Sequence, residues 1–208
     1  MTAPEAGILQ AACAHLADRD VVLARAYTSV GLPQWRVRAA NYETLARIVV
    51  YQLISTKAAD AIWQRVRARY VDLTPAALSG DDPSALLACG LSGPKLRHLQ
   101  AIAEAVETGA LDLIGLKAAP IEIARQHLLA VRGIGPWTAD TFLMTATGQL
   151  DAFPHGDVGL MEAYKRLSQA AKRPSSKAFS SLAEAWRPYR AVAAHLLYDW
   201  FNQDRAKP

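Results

Sequence analysis

The chain has 208 residues, of which 51 % are hydrophobic and 20 % are charged, and its formal net charge is +4. This length suits one domain or two small interlocked lobes with a real core, and the composition is ordinary for a globular protein. No apolar run approaches the length that crosses a bilayer, and residues 1–7 lack a basic-then-apolar signal pattern, so we expect a cytoplasmic protein without a membrane partner.

Cysteine usage restricts the metal chemistry that this chain can support. It contains two cysteines, Cys13 and Cys89, which lie far apart in the sequence. Two thiolates cannot ligate a four-cysteine zinc or iron–sulfur site, and a disulfide is not expected in the cytosol. We therefore expect no iron–sulfur cluster.

The positive charge is concentrated in two tracts of the chain. Residues 25–70 contain eight basic and two acidic residues, and residues 157–208 contain nine basic and five acidic residues. Two basic tracts separated by acidic stretches are able to line one groove for a polyanion. Solvated helix faces would produce the same charge pattern, so charge alone leaves both interpretations open.

Helical patterns recur along the chain, whereas the alternation typical of strands is nearly absent. In the first half, apolar residues at helical spacing predict one buried helix face, formed by Leu45, Ile48, Val49 and Leu53. Proline is favoured in a first helical turn because no amide is needed there, and it predicts helix starts at Pro83, Pro94, Pro120, Pro136 and Pro188. Eight to ten helices and no sheet are expected, which predicts an all-α fold.

The most informative segment, residues 129–139, is Leu-Ala-Val-Arg-Gly-Ile-Gly-Pro-Trp-Thr-Ala. Gly133 permits a left-handed helix end, and we expect Gly135 to allow a second unusual backbone angle. Pro136 then begins a helix whose N-terminus, together with the amides of the turn, is able to hold a phosphate without reading the base sequence. The alternative is a plain tight turn between packed helices.

Four blocks resemble the helix-hairpin-helix (HhH-GPD) DNA glycosylase superfamily, and in particular its 3-methyladenine DNA glycosylase II branch. They are residues 48–59, residues 131–139, the Gly/Pro-rich loop 153–160 and residues 186–194, in the order of the family. The chain resembles a compact form without the N-terminal β-domain of longer bacterial members. Tyr51 and Gly156 depart from the residues usual in this branch, which bears on pocket shape and substrate choice.

The resemblance implies two helical lobes with the active cleft between them. Residues 38–148 would form the central lobe with the hairpin, and residues 1–37 with 149–208 would form a second lobe with the catalytic loop. It also implies a monofunctional enzyme that flips damaged bases out of double-stranded DNA and hydrolyses their N-glycosidic bond. Alkylated bases of the 3-methyladenine and 7-methylguanine type are the expected substrates, and we expect a monomer.

Asp157 is the residue that the resemblance identifies as catalytic. Breaking an N-glycosidic bond builds positive charge on the sugar, and a fixed carboxylate stabilises that charge while it orients the attacking water. The alternative is a structural role, because an aspartate that precedes a helix often caps it.

Aromatic side chains are expected to form the pocket for the flipped base. The resemblance places Trp137 where bifunctional members carry a lysine nucleophile, which an indole cannot replace. It places Tyr198 where an aromatic ring stacks on the base, although a half-exposed helix tyrosine is the alternative. Trp35 is a further candidate for the pocket wall, but core packing is the favoured interpretation at that position.

Gln52 and Leu53 are expected to contact the substrate DNA. The resemblance places a minor-groove wedge at Leu53, with Gln52 beside it, and such a wedge fills the gap left by the flipped base. The alternative makes Leu53 one more core residue on the stripe that contains Leu45.

The resemblance also assigns contacts to the hairpin. The residues expected to contact a DNA phosphate are Gly133, Gly135 and Thr138. The residues expected to hold a monovalent cation through their main-chain carbonyls are Leu129, Val131 and Ile134. No other cofactor is expected.

Three rival functions remain open. A non-catalytic helix-hairpin-helix DNA-binding module would explain the hairpin and the basic tracts, but not the loop around Asp157. A glycosylase with a preference for neutral lesions would keep the same residues. A glycosylase/lyase would require a lysine in place of Trp137.

Overall fold

The computed structural model describes residues 3–206. The first two residues of segment 1–7, which was expected to lack a signal pattern, lie outside the described residues. Its twelve α-helices are α1 (Ala6–Arg19), α2 (Val21–Val30), α3 (Tyr42–Tyr51), α4 (Thr56–Arg67), α5 (Pro75–Ser79), α6 (Pro83–Ala88), α7 (Gly93–Glu107), α8 (Ile121–Leu129), α9 (Pro136–Phe142), α10 (Val158–Ser168), α11 (Ser176–Ala183) and α12 (Arg190–Ala206). A π-helical segment, Leu143–Thr147, continues α9. Residues 3–206 contain no strand, and the predicted all-α fold is confirmed.

The helices belong to two compact units. The central unit, Arg38–Thr147, contains α3 to α9. The terminal unit, formed by Met1–Val37 with Gly148–Pro208, contains α1, α2 and α10 to α12. In the part of the chain that the structure describes, no helix combines the length and the apolarity that a membrane span requires.

In the central unit, α3 packs against α4, α7 and α9. Asn41 begins α3, because its side chain accepts a hydrogen bond from the Thr44 amide at 3.0 Å. The apolar face of α3 then buries Leu45 and Val49 completely, and Phe142 of α9 is equally buried. Burying a side chain of this size contributes about 1.5 to 3 kcal/mol. This packing sets the position at which the chain leaves α3.

Leu53 does not belong to the predicted apolar stripe. Helix α3 ends at Tyr51, and Leu53 has a φ of +58° and a fully exposed side chain. Because the chain leaves the helical path after Tyr51, Leu53 no longer shares a face with Leu45. The interpretation of Leu53 as a core residue is therefore wrong.

Helices α8 and α9 are joined by the hairpin, residues 130–135. Gly133 has a φ of +93°, in the left-handed region, whereas Gly135 has a φ of −90° and a ψ of 175°, which any residue adopts. The expected second unusual backbone angle at Gly135 is therefore wrong. Arg125 of α8 binds Asp140 of α9 through two bonds of 2.9 and 3.2 Å, and such a two-pronged ion pair orients the helices.

In the terminal unit, an aromatic cluster supports the loop that precedes α10. The Phe153 ring lies 5.3 Å from the Phe179 ring and 5.4 Å from the fully buried Trp186 ring. Trp186 Nε1 donates to Asp20 Oδ2 at 2.9 Å, and Asp20 also caps α2 by accepting the Val22 amide at 2.8 Å. The first residue of the loop is thus anchored in the core of this unit.

Helix α12 begins at Arg190, two residues after the predicted start at Pro188. The residues before it form a turn in which the Tyr189 amide donates to the Trp186 carbonyl at 2.8 Å. Arg190 itself is held by an ion pair with Asp151 at 2.8 Å. Pro188 therefore lies within this turn and not in the first turn of the helix.

Candidate functional site

Asp157 occupies the N-cap of α10 and presents a half-buried carboxylate. Its Oδ1 accepts the Leu160 amide at 2.9 Å, and its own amide donates to the Pro154 carbonyl at 2.8 Å. The capping role and the predicted catalytic role are compatible, because one carboxylate oxygen satisfies the cap. The helix N-terminus also carries positive partial charge, which favours a negatively charged carboxylate there.

Tyr198 of α12 contacts this carboxylate directly. Its hydroxyl donates a hydrogen bond to Asp157. Burial first, and then the negative charge and the hydrogen bond of Asp157, raise the pKa of Tyr198 well above its ordinary value, while Arg36 opposes the shift. Tyr198 is thus a neutral donor that orients the Asp157 carboxylate. Sequence reasoning predicted the aromatic ring but missed this hydrogen bond.

Arg36 lies beside Tyr198, and sequence reasoning did not identify it as a candidate. Its guanidinium carbon lies 4.9 Å from the centre of the Tyr198 ring, and its Nη2 binds Asp199 Oδ1 at 3.0 Å. The second carboxylate oxygen of Asp199 accepts a hydrogen bond from the main-chain amide of Gln34 at 2.6 Å. No local pattern predicts the Arg36–Asp199 pair, because the two residues are 163 positions apart; the basic tract around Arg36 was the only available signal.

Trp35 packs against α12 beside this group. Its ring stacks on the His195 ring with centroids 4.1 Å apart, and it is 8 % exposed, in keeping with core packing. Burial, which dominates, lowers the pKa of His195 to about 4, so its ring is neutral near pH 7. His195 Nδ1 lies 2.8 Å from the Ala191 carbonyl, and since a carbonyl only accepts, Nδ1 carries the proton.

In the central unit, Gln52 connects the end of α3 with the hairpin. Its Nε2 donates to the Gly133 carbonyl at 3.2 Å and to Thr138 Oγ1 at 2.7 Å. Thr138 is 1 % exposed, so its hydroxyl serves Gln52 and is not available to a phosphate. The phosphate contact predicted for Thr138 stays a prediction, and with the side chain buried it would have to be made by the main chain.

Leu53 follows Gln52 with a conformation that is costly for leucine. A left-handed backbone at a residue with a Cβ costs roughly 1 to 2 kcal/mol, and full exposure of the side chain recovers no packing energy. The preceding residues are held by Gln52 and by Lys95, whose Nζ donates to the Val50 carbonyl at 2.6 Å. An apolar side chain is thus held out in solvent, which is the arrangement that a wedge requires.

The hairpin packs closely on α7. A Cβ at Gly133 would lie 2.4 Å from His98 Cγ, whereas a Cβ at Gly135 would meet nothing within 4 Å. Burial first, and then the charges of Arg132 and Arg97, lower the pKa of His98. The turn at Gly133 is therefore closely packed on α7, whereas the space beside Gly135 is open. The positive charges of Arg132 and Arg97 lie close to this turn.

The predicted cation ligands lie on the same turn. The Val131 carbonyl accepts the Ile134 amide at 3.1 Å, whereas within residues 3–206 no main-chain amide donates to the carbonyl of Leu129 or of Ile134. Main-chain carbonyl oxygens are ligands of monovalent cations, so these residues fit such an ion. Residues 3–206 contain no cluster of three His, Cys, Asp or Glu side chains able to hold a metal.

Trp137 is the second residue of α9 and is half-buried in the central unit. The structure thus brings together Asp157 and Tyr198 in the terminal unit. In the central unit it joins Gln52 to Gly133 and Thr138, with Leu53 following directly. The role of Trp137 as a pocket wall stays a prediction.

Comparisons with known proteins identify the family to which the sequence and the fold correspond. The family model described as "HhH-GPD superfamily base excision DNA repair protein" matches residues 46–188. The chain is 30 % identical over 164 residues to DNA-3-methyladenine glycosylase 1 of Schizosaccharomyces pombe, a match that covers 76 % of this chain and 71 % of that protein.

Solved structures show the same fold. A 3-methyladenine DNA glycosylase of S. pombe in complex with abasic DNA superposes with a TM-score of 0.81 at 28 % identity, covering 90 % of this chain and 95 % of that one. A DNA-3-methyladenine glycosidase of Bacillus halodurans gives 0.78 at 29 % identity, covering 94 % and 91 %.

Proposed function

The chain belongs to the HhH-GPD superfamily of base excision DNA repair proteins, and on that basis we propose a mechanism in which Asp157 is the catalytic residue. The protein is a DNA glycosylase of the 3-methyladenine branch that removes alkylated bases from DNA. The observation that carries the mechanism is the Asp157 carboxylate at the start of α10, which accepts a hydrogen bond from the Leu160 amide at 2.9 Å and interacts with the buried Tyr198.

Asp157 supplies negative charge where the reaction develops positive charge. As the N-glycosidic bond breaks, the electron pair leaves with the base and the sugar becomes cationic. A carboxylate held by the Leu160 amide and by Tyr198 is already oriented, so little reorganisation is needed when the cation forms. The same carboxylate accepts a proton from the water that attacks the sugar.

Water is proposed as the nucleophile. Trp137 stands where a lyase of this superfamily carries its lysine, and an indole cannot form a Schiff base with the sugar. The reaction therefore releases the free base and leaves an abasic site without breaking the strand.

The central unit is proposed to bind the DNA. The hairpin amides around Gly133 and Gly135, at the N-terminus of α9, favour a phosphate. The carbonyls of Leu129, Val131 and Ile134 would hold a monovalent cation that adds positive charge beside that phosphate. Leu53 enters the minor groove as the wedge. The protein is proposed to work as a cytoplasmic monomer on duplex DNA that contains damaged bases.

A panel of duplexes, each with one defined lesion, tests the proposed function. Cationic alkylated bases have weakened glycosidic bonds, so we expect 7-methylguanine to be released at least about tenfold faster than uracil or 8-oxoguanine. Single-turnover base release is the measurement, and the strand should stay intact until alkali is added. Faster release of uracil would contradict the substrate class, nicking without alkali would contradict the role of water, and binding without any release would indicate a non-catalytic module.

Leu53→Ala should lower base release from fully paired duplex by about tenfold, and release from a locally open substrate by much less. The wedge offsets the cost of unstacking, which is a few kcal/mol in a paired duplex and smaller where the site is already open. Val71→Ala is a matched control, because Val71 is 93 % exposed in the same unit and has no proposed role. Equal losses on both substrates would contradict the wedge.

A further inference from the structure

The Arg36 guanidinium lies against the ring of Tyr198, the residue that contacts the catalytic carboxylate. We propose that Arg36 is a specificity-determining residue, which shifts the choice among alkylated bases away from cationic adducts and towards neutral ones. This inference rests on the proposed function, since it concerns the base that stacks on Tyr198.

The reason is electrostatic. The face of an aromatic ring is negative and attracts a cation, so an unaccompanied Tyr198 would favour a cationic base such as 7-methylguanine. Here the Arg36 guanidinium, whose carbon lies 4.9 Å from the ring centre, already makes a cation–π contact with the Tyr198 ring. A cationic base stacked against Tyr198 would share the ring with this positive charge, and two like charges that close repel each other at a partly buried site. A neutral alkylated base, such as 1,N6-ethenoadenine, is not repelled.

Arg36 is held in this position from several sides. The Arg36 side chain is 33 % exposed and binds Asp199, whose carboxylate also accepts the Gln34 amide at 2.6 Å. Trp35 stacks on His195, which anchors the segment on α12. Arg36 Nη1 is buried and has no hydrogen-bond partner within residues 3–206. The guanidinium is therefore a positioned group and not a freely moving surface charge.

Asp199 offsets part of the positive charge of Arg36. Substitutions at Arg36 and at Asp199 should therefore shift the preference between cationic and neutral bases in opposite directions. Its side chain is 15 % exposed and lies 3.0 Å from Arg36 Nη2. Arg36→Met removes the positive charge, whereas Asp199→Asn removes the charge that neutralises it. Asparagine keeps a side-chain oxygen that accepts the Gln34 amide, so the local backbone contact is retained. A purely structural role would not move the two variants in opposite directions.

The experiment measures single-turnover release of 7-methylguanine and of 1,N6-ethenoadenine from otherwise identical duplexes. We expect Arg36→Met to raise the ratio of the two rates, cationic over neutral, by about threefold to tenfold, and Asp199→Asn to lower it by about threefold. Arg36→Lys, which keeps the charge, should leave the ratio within twofold of the parent. Arg36→Gln removes the charge while keeping amide donors, and it replaces the Met variant if that variant does not fold.

The outcomes separate the two proposals. A parent protein that releases neither base contradicts the proposed function. An active parent whose ratio is unchanged or falls in the Met and Gln variants, or shifts in the same direction in Arg36→Met and Asp199→Asn, overturns the role of Arg36.

Discussion

Asp157→Asn is expected to lower single-turnover base release by at least about a hundredfold, the scale for losing one preorganised electrostatic group. Asparagine keeps the size of the side chain and an oxygen that accepts the Leu160 amide, but it deletes the negative charge. The sugar cation then lacks its stabilising partner, and the attacking water lacks its proton acceptor.

Folding and DNA binding should persist in the Asn variant. Asparagine is nearly as good an N-cap as aspartate, so the melting temperature should stay close to that of the parent. Removing an anion cannot weaken the attraction of the protein for phosphates, so the affinity for damaged duplex should be unchanged or higher. Base release, affinity and melting are measured on the same two proteins.

Asp82→Asn is the matched control for the capping role. Asp82 begins α6 by accepting the Ser84 amide at 2.9 Å, and it has no proposed catalytic role. Its Asn variant should release bases at the parental rate. If Asp157→Asn also releases bases at close to the parental rate, Asp157 is a cap and not the catalytic residue.

Gly133→Ala is expected to reduce the free energy of unfolding by at least about 3 kcal/mol, and to weaken binding to duplex DNA in the protein that remains folded. Two costs combine at this position. The φ of +93° is unfavourable for any residue with a Cβ, and that Cβ would lie 2.4 Å from His98 Cγ. Relief requires His98 or the hairpin to move, which displaces the amides that would contact the phosphate.

Gly109→Ala separates the two costs. Gly109 follows α7 in the same unit with a φ of +75°, and a Cβ there would meet nothing within 4 Å. This variant should therefore lose only the backbone cost, roughly 1 kcal/mol, and should bind DNA normally. Urea denaturation and DNA titration of both variants provide the comparison. Equal destabilisation by the two substitutions would contradict the close packing of the hairpin on α7.

Much of the local structure of this chain could be predicted from its sequence. A helix start depends on neighbouring residues, because the capping side chain and the amide that it accepts are only two or three positions apart. The Asp157 cap and the first-turn Pro136 are therefore visible in the sequence. The left-handed turn at Gly133 is visible for the same reason, since a residue without a Cβ adopts it most readily.

Contacts between distant residues were decided by the tertiary structure alone. Gln52 meets Thr138 across 86 positions, and this contact ties the end of α3 to α9. The spacing of Leu53 fits the α3 stripe, whereas the family resemblance favoured a wedge at this position. Only the tertiary structure, in which α3 ends at Tyr51 and Leu53 is left-handed, removes Leu53 from that face.

The sequence by itself determined the all-α fold, and it predicted Asp157 and Tyr198 as site residues, because helix patterns and family blocks are local along the chain. Only the tertiary structure decided that Tyr198 donates to Asp157 and that Arg36 covers its ring. The physical reason is that charge acts through space: a guanidinium far away in sequence is brought within 4.9 Å of the Tyr198 ring by the packing of the segment around Trp35 on α12.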